Sequence, residues 1–243
     1  GRFGTAVTVI EMLPRVLPIE DEEISKEAEK HLAKHMTILT GARTESAKVI
    51  EGGVQVEVTQ ASGERKTLVA ELLLVAIGRG PVSDGLGLEA TRVRMERGFV
   101  RVNNHYQTDE PGIYAIGDLI TVDGKPHPQL AHVASAEGIR VAEIVAGKHF
   151  DPIDYDRVPG ATYCQPEVAS VGLTEAEARK RGYDVVIGKF NFGNLAKPRI
   201  LGHDHGFIKV VSEKKYDQVL GVHMVGPHAT DLVSEACLGL QLE

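Results

Sequence analysis

The first third of the chain contains one segment with a helical spacing of apolar residues and three segments with a strand-like composition. Between Asp21 and Met36 apolar residues come at every fourth position, which predicts an amphipathic helix. The segments Thr5–Ile10, Val54–Thr59 and Thr67–Ile77 are rich in β-branched residues and predict strands. Because strands and a helix alternate over residues 1–80, we expect an α/β arrangement there.

Two runs are continuously apolar rather than periodic. Leu72–Ile77 predicts a strand that is buried on both faces, and Ile113–Ile116 predicts a shorter buried strand. The second run leads into Gly117 and Asp118, and a helix is predicted over Gln129–Ala146. A carboxylate at a strand end can accept hydrogen bonds from the hydroxyls of a sugar or polyol, and the helix offers N–H groups and a positive dipole at its amino end.

The last third of the chain has a different pattern. After Asp151–Gly160, a proline-containing linker, short strand-like segments alternate with helices, and Thr174–Glu177 has the form of a capping box. The strand-like segments are Val168–Gly172, Asp184–Phe190, Phe207–Val211 and Gln218–Val225, and a helix is predicted over Ala229–Glu243. We therefore expect three regions, 1–80, 81–150 and 151–243, the last being an α+β module.

Composition narrows the class of protein. The 243 residues carry a formal net charge of -7 and no basic stripe, which argues against a nucleic-acid partner. No apolar run reaches the length that spans a membrane. Cys164 and Cys237 are far apart and make no disulfide framework, so we expect a reducing compartment: the cytoplasm, or the mitochondrial matrix in a eukaryote.

The run Ile113–Asp118, followed by Leu130–Gly138, resembles the second flavin-binding stretch of the flavin disulfide reductases. Its Leu-Ala-His-x-Ala-x-x-Glu-Gly form looks most like that of the dihydrolipoamide dehydrogenases. The resemblance implies that Gly117 and Asp118 bind FAD, with the carboxylate meeting the ribityl chain. It also implies that the backbone at Ala131 and His132 faces the pyrimidine ring of the flavin.

A second cofactor is expected in the first region. Glu11 follows a strand at the position where the acidic residue of a Rossmann unit accepts hydrogen bonds from the adenosine ribose and repels a 2′-phosphate, which favours NAD over NADP. The resemblance implies that Gly78, in Ala76–Arg79, lies against the same nicotinamide cofactor. Val82 departs from the asparagine that the family usually has in the loop that follows.

The family's catalytic groups are missing from this sequence. It contains no Cys-x-x-x-x-Cys pair, neither Gly-x-Gly-x-x-Gly motif, and no His-Pro-Thr-x-x-Glu segment; His127 and Pro128 lack a glutamate at the required offset. We therefore expect a fragment of about half the family's length that has no catalytic residue of its own and is inactive alone. In the intact enzyme, the resemblance implies, electrons pass from dihydrolipoamide through the cysteine pair and FAD to NAD⁺.

The resemblance further implies a homodimer that acts on dihydrolipoamide carried by a 2-oxo acid dehydrogenase complex, with no nucleic-acid or membrane partner. Two alternatives remain open: another flavin disulfide reductase, such as mercuric or glutathione reductase, and a non-catalytic dimerisation or binding fragment. His203 and His205 could ligate a metal, but the sequence offers no evident third ligand, so we expect a polar loop and no metal site.

Overall fold

The computed structural model describes residues 1, 3–125, 127–149 and 151–242, and they form two compact units. The first unit combines residues 1–74 with residues 156–243, and the second consists of residues 75–155. The proposed regions 1–80, 81–150 and 151–243 are a separate division that stays a prediction. The expected fold class, a Rossmann-like α/β part followed by an α+β module, is confirmed.

The first unit begins with a βαβ arrangement. Strands β1 (Thr8–Ile10) and β2 (Thr37–Leu39) are parallel, and helix α1 (Glu22–Leu32) joins them. Asp21 is the N-cap of α1, and its carboxylate accepts a hydrogen bond from the Glu23 N–H at 3.1 Å. The helix is shorter than the predicted Asp21–Met36: it begins one residue later, at Glu22, and ends at Leu32.

An antiparallel three-stranded sheet follows, formed by β3 (Arg43–Ile50), β4 (Gly53–Thr59) and β5 (Arg65–Ala70). The predicted buried strand Leu72–Ile77 is wrong: none of its residues is in a strand, and its two end residues are 88% and 95% exposed. Within the described residues no strand lies beside this run, so its backbone has no ladder of hydrogen bonds to join. An apolar, β-branched sequence cannot form a strand without such a partner.

The second unit contains a small mixed sheet and one long helix. Strand β7 (Phe99–Val102) pairs antiparallel with β6 (Met95–Glu96) and parallel with β8 (Ile120–Val122). Helix α2 (Ala131–Val145) packs on the same core, to which it contributes Val141 and Ile144.

The predicted strand Ile113–Ile116 is also wrong. Only Tyr114 forms a bridge, to Gln107, and the run's remaining hydrogen bonds join a turn: the Ala115 N–H donates to the Tyr106 carbonyl at 3.0 Å. The strand of this region comes four residues later, as β8. Asp118 therefore precedes a strand instead of following one.

The C-terminal part of the first unit is a five-stranded antiparallel sheet with the order β11-β12-β13-β10-β9. Its strands are β9 (Gly160–Thr162), β10 (Glu167–Gly172), β11 (Val185–Asn191), β12 (Phe207–Glu213) and β13 (Val219–Gly226). The accompanying helices are α3 (Glu175–Lys180), α4 (Ala196–Ile200) and α5 (Ala229–Leu242). Helix α5 packs on β10 and β13 and covers a core that includes Val171, Val222 and Val233; the last residue of the predicted helix, Glu243, lies outside the described residues.

A buried ionic cluster joins α1 and α3 to this sheet. Lys209 on β12 is 1% exposed, and its Nζ lies 2.9 Å from Asp21 Oδ1, 3.1 Å from Glu23 Oε2 and 2.8 Å from Glu175 Oε2. Burial alone would lower the pKa of Lys209, but its hydrogen bonds to these carboxylates raise the pKa above its usual value. The ammonium therefore stays charged inside the unit.

Candidate flavin site

The Gly117–Asp118 turn lies against helix α2. Residues Gly117–Leu119 form one turn of 3₁₀ helix, and Gly117 is buried with a φ of +76°, in the left-handed region that favours glycine. A Cβ atom at this position would lie 3.2 Å from the Cβ of Ala134, on α2. Glycine is therefore required both by the backbone conformation and by the close approach of the turn to the helix.

Asp118 is held from two sides. Its carboxylate forms an ion pair with Arg79, and its carbonyl accepts a hydrogen bond from Gln129 Nε2 at 3.2 Å. The side chain stays one-third exposed, so hydroxyl groups of a ligand can reach its oxygens. Arg79 was not predicted as part of this site; its position directly after the candidate binding glycine Gly78 was the available signal.

The residue before α2 provides no side-chain cap for its amino end. Leu130 precedes the helix, and its side chain carries no acceptor, so it caps none of the first N–H groups. Ala131 and His132, the first two helical residues, are both exposed. The first turn thus presents N–H groups and the positive end of the helix dipole beside the Asp118 carboxylate. An acceptor and a set of donors side by side suit a polyol joined to a ring with carbonyl oxygens.

Glu137 lies beneath this surface and was not identified from the sequence as a site residue. Its side chain is fully buried, because it lies on α2 one turn after the buried Val133 and on the same face of the helix. Its Oε2 accepts a hydrogen bond from the Gly117 N–H at 2.7 Å, and its Oε1 accepts one from Tyr155 Oη at 2.7 Å. An acidic residue on the buried face of a predicted helix was the signal that could have revealed it.

The Glu137 carboxylate is ionised in spite of its burial. Burial would raise the pKa of Glu137, but the nearby His127 ring and hydrogen bonds from the Gly117 N–H and the Tyr155 hydroxyl hold that pKa below its usual value. His127 Nε2 lies 3.3 Å from Oε1. Burial raises the pKa of Tyr155, which therefore remains a hydrogen-bond donor.

The two residues expected to contact the nicotinamide cofactor lie in different units. Glu11, in the first unit, directly follows β1, and its N–H donates to the Leu39 carbonyl at 2.9 Å, so the parallel pairing continues through it. Its Oε1 accepts a hydrogen bond from the Leu13 N–H at 2.7 Å. Gly78, in the second unit, has a φ of +133° and is exposed, but it follows the unpaired run instead of a buried strand.

The histidine pair expected to form a polar loop belongs to a group of three neighbouring imidazole rings. The rings of His31 and His205 lie 4.4 Å apart, and those of His203 and His205 lie 6.4 Å apart. Burial and the neighbouring His31 and His203 lower the pKa of His205. Across residues 1, 3–125, 127–149 and 151–242, we find no group of three or more side chains arranged to hold a metal ion.

The remaining sequence expectations concern cysteines and membranes. Cys164 and Cys237 are both unpaired thiols; Cys164 Sγ donates to the Pro166 carbonyl at 3.0 Å, and Cys237 packs against the core under α5. Burial raises the pKa of both thiols, as expected of structural cysteines. None of the helices in the described part of the chain is long and apolar enough to cross a membrane.

Comparison with known families gives two matches that together cover most of the chain. Residues 1–138 match the family described as pyridine nucleotide-disulphide oxidoreductase, and residues 158–243 match the dimerisation domain of the same family. The dihydrolipoyl dehydrogenase of Bacillus subtilis is 45% identical over 99% of this chain and 50% of its own length. The dihydrolipoyl dehydrogenase of Thermus scotoductus is 42% identical over 99% of this chain and 51% of its own length.

Solved structures show the same likeness. LpdA from Mycobacterium tuberculosis superposes with a TM-score of 0.86 at 27% identity, over 98% of this chain and 50% of its own. The HOCl-induced flavoprotein disulfide reductase RclA from Escherichia coli gives a TM-score of 0.86 at 25% identity, over 98% of this chain and 53% of its own. The chain spans about half the length of the curated relatives it matches.

Proposed function

Since the chain belongs to the pyridine nucleotide-disulphide oxidoreductase family, we propose that it works as part of a dihydrolipoyl dehydrogenase. Electrons would pass from dihydrolipoamide through a cysteine pair and FAD to NAD⁺. The observation that carries the proposal is the Gly117–Asp118 turn held against α2 by the contacts of Gly117 with Ala134 and Glu137. The identity of 38–45% to curated dihydrolipoyl dehydrogenases supports the substrate.

The donors and acceptors at this turn fit the flavin part of FAD. The Asp118 carboxylate would accept hydrogen bonds from ribityl hydroxyls, and the N–H groups at Ala131 and His132 would donate to the carbonyl oxygens of the pyrimidine ring. The helix dipole would stabilise negative charge on that ring. When bound, FAD supplies the two-electron chemistry, and these residues bind and orient it.

Two further residues are assigned to NAD. Glu11 would accept hydrogen bonds from the hydroxyls of the adenosine ribose at the end of a parallel strand, and its charge would repel a 2′-phosphate. Gly78 would let the backbone approach the cofactor, because it has no side chain. We assign no catalytic residue to these 243 residues.

The experiment is a full-length chimera in which this chain replaces the matching half of the Bacillus subtilis relative. We expect the purified chimera to retain FAD, seen in its visible absorbance, and to oxidise NADH with lipoamide. Asp118→Ala should lose most of the flavin, whereas Asp84→Ala, at an exposed loop position, should keep it. A chimera that holds FAD but reduces only glutathione disulfide or mercuric ion would reject dihydrolipoamide as the substrate.

The assignment of Glu11 predicts cofactor preference. In the chimera, Glu11→Arg should shift the ratio of kcat/KM for NAD⁺ over NADP⁺ toward NADP⁺ by at least about tenfold, since a cation attracts the 2′-phosphate that the carboxylate repels. Glu51→Arg, in an exposed turn, is the matched control. An unchanged ratio in the Glu11 variant would remove the residue from the NAD site.

We also propose a homodimer formed through residues 158–243, which match the dimerisation domain. Leu232 on α5 is 37% exposed, whereas Cys237 packs against the core, so a charge at Leu232 tests the surface without disturbing the fold. In the chimera, Leu232→Asp should weaken dimerisation in sedimentation experiments at micromolar concentration, and Val49→Asp, on the exposed strand β3, should not. A wild-type chimera that sediments as a monomer would contradict this assignment.

Dihydrolipoamide would be delivered by a 2-oxo acid dehydrogenase complex, in the cytoplasm or, in a eukaryote, in the mitochondrial matrix. Two unpaired thiols, Cys164 and Cys237, favour such a reducing compartment.

A further inference from the structure

Glu137 is buried behind the Gly117–Asp118 turn, and one of its carboxylate oxygens is hydrogen-bonded to the backbone of that turn. One carboxylate oxygen accepts the Gly117 N–H at 2.7 Å. The other accepts Tyr155 Oη at 2.7 Å and lies 3.3 Å from His127 Nε2. The Tyr155 hydroxyl in turn lies 3.4 Å from the hydroxyl of the buried Tyr106. The carboxylate is thus fixed on one side by side chains of the core and on the other by the backbone of the turn.

The contacts around the turn show why this anchor matters. Gly117 is in the left-handed region and touches Ala134, so its N–H is turned toward α2, where Glu137 accepts it. Gly138 allows the neighbouring Ile116 to pack on the helix, since a Cβ there would lie 3.2 Å from Ile116 Cδ1. The two residues that precede Asp118, Ile116 and Gly117, are therefore placed by α2 itself. The position of Asp118 relative to the amino end of α2 therefore depends on the hydrogen bond between Gly117 and Glu137.

The environment of Glu137 argues against a role in proton transfer. Its carboxylate is fully buried and already receives hydrogen bonds from Gly117 and Tyr155. An acid or base must exchange its proton with substrate or solvent, and a saturated, inaccessible carboxylate does not meet that condition. A fixed carboxylate can instead hold a backbone N–H in place, because a charge-assisted hydrogen bond is short and strongly directional.

We propose that Glu137 is a positioning residue for the flavin: it holds the Gly117–Asp118 turn in register with the amino end of α2, and Tyr155 and His127 hold its carboxylate. This inference rests on the proposed flavin site. It adds to that site a buried layer that touches no ligand. The layer fixes the relative position of the acceptor at Asp118 and the donors at Ala131 and His132.

The first test needs no flavin and uses the 243-residue chain. Amide hydrogen exchange, followed residue by residue by NMR, should be faster at Gly117 in Glu137→Gln than in the wild type by about tenfold or more, the loss expected for a hydrogen bond to a buried charge. Tyr155→Phe should give a smaller acceleration at the same amide. Glu143→Gln, which breaks a half-exposed pair with Arg140 on the same helix, is the matched control and should leave Gly117 unchanged.

The second test uses the full-length chimera and measures the Kd for FAD and the visible circular dichroism of the bound flavin. Glu137→Gln should weaken FAD binding about ten- to hundredfold and alter the spectrum, because a displaced turn changes the flavin's surroundings. Glu143→Gln should match the wild type in both. Glu137→Asp, which keeps the charge on a shorter arm, should recover part of the affinity.

The two proposals fail in different ways. If the wild-type chimera binds no FAD, the flavin site itself is rejected, and the role of Glu137 falls with it. If the wild type binds FAD and Glu137→Gln binds it with the same Kd and the same spectrum, the flavin site stands and the positioning role is overturned. Unchanged exchange at Gly117 in Glu137→Gln would overturn it as well.

Discussion

Both compact units bury a charged side chain, and they neutralise it in opposite ways. In the first unit the ammonium of Lys209 is enclosed by three carboxylates, those of Asp21, Glu23 and Glu175. In the second unit the carboxylate of Glu137 receives the N–H of Gly117 and the hydroxyl of Tyr155. One site is a network of full charges, and the other is a single charge held largely by dipoles.

The partners of each buried charge explain the difference. Asp21 also caps α1, and its second oxygen accepts the Glu175 N–H at the start of α3 at 3.3 Å, so the Lys209 cluster fastens two helix ends to the sheet. The Glu137 carboxylate instead holds the backbone of Gly117 in place near the amino end of α2. A buried charge by itself therefore does not indicate a binding site. What indicates one is the identity of the group that the buried charge holds in place through its hydrogen bonds.

The largest expected effect is at Lys209. Lys209→Met leaves three carboxylates facing one another with no cation, and breaking such a buried cluster should lower the free energy of unfolding by about 3–5 kcal/mol. Urea unfolding of the first unit, followed by circular dichroism, measures it. Lys26→Met is the matched control: Lys26 pairs with Glu22 on the exposed face of α1, and its loss should cost less than about 1 kcal/mol. Equal losses of unfolding free energy in the two variants would mean that the buried cluster stabilises the first unit no more than a surface ion pair does.

The sequence predicted most of the elements whose formation depends on local pattern. Helix α1, the capping box at Thr174 and four of the five strands of the five-stranded sheet all carry their signals within a few residues. Strand β9 was not predicted. Thr174 does accept the hydrogen bond from the Glu177 N–H that a capping box requires, at 3.2 Å. Caps and alternating patterns depend on neighbours in the sequence, so they can be recognised without the fold.

The sequence failed where an element depends on a distant partner. Leu72–Ile77 and Ile113–Ile116 are apolar enough for buried strands, but neither has a described strand beside it to complete a ladder. The candidate flavin residues Gly117 and Asp118 were found through a motif. Glu137, 20 positions beyond Gly117, was not found as a site residue, because its role appears only when α2 folds back onto the turn.

A change of pH should separate the Glu137 charge from its surroundings. Because the folded-state pKa of Glu137 lies below the usual value of 4.5, its contribution to stability is present above that value and is lost as the pH falls through the folded-state pKa. The free energy of unfolding of the wild-type second unit should therefore decrease as the pH falls from 7 into the acid range. Glu137→Gln should lose less over the same interval, since its amide does not titrate.

Urea unfolding at a series of pH values, with an NMR signal from residues 75–155 as the probe, measures this loss. Glu143→Gln should keep the wild-type dependence, since Glu143 pairs with Arg140 at the surface. If Glu137→Gln keeps it too, the buried carboxylate is not the group whose protonation destabilises the unit. The two units would then not differ in how they stabilise a buried charge.

The smallest effect is expected at Thr174, beside the Lys209 cluster. Its hydroxyl caps the Glu177 N–H of α3, while the Asp21 carboxylate accepts the Glu175 N–H of the same turn. Because two residues share the capping of this helix end, Thr174→Ala should lower the free energy of unfolding by only about 0.5–1 kcal/mol, at the low end of the range for a lost cap. Thermal unfolding of the variant beside Thr174→Ser, which keeps the hydroxyl, measures the difference. A loss of unfolding free energy as large as that of Lys209→Met would show that the amino end of α3 depends on the Thr174 cap alone. The Asp21 carboxylate of the Lys209 cluster would then not contribute to capping this helix.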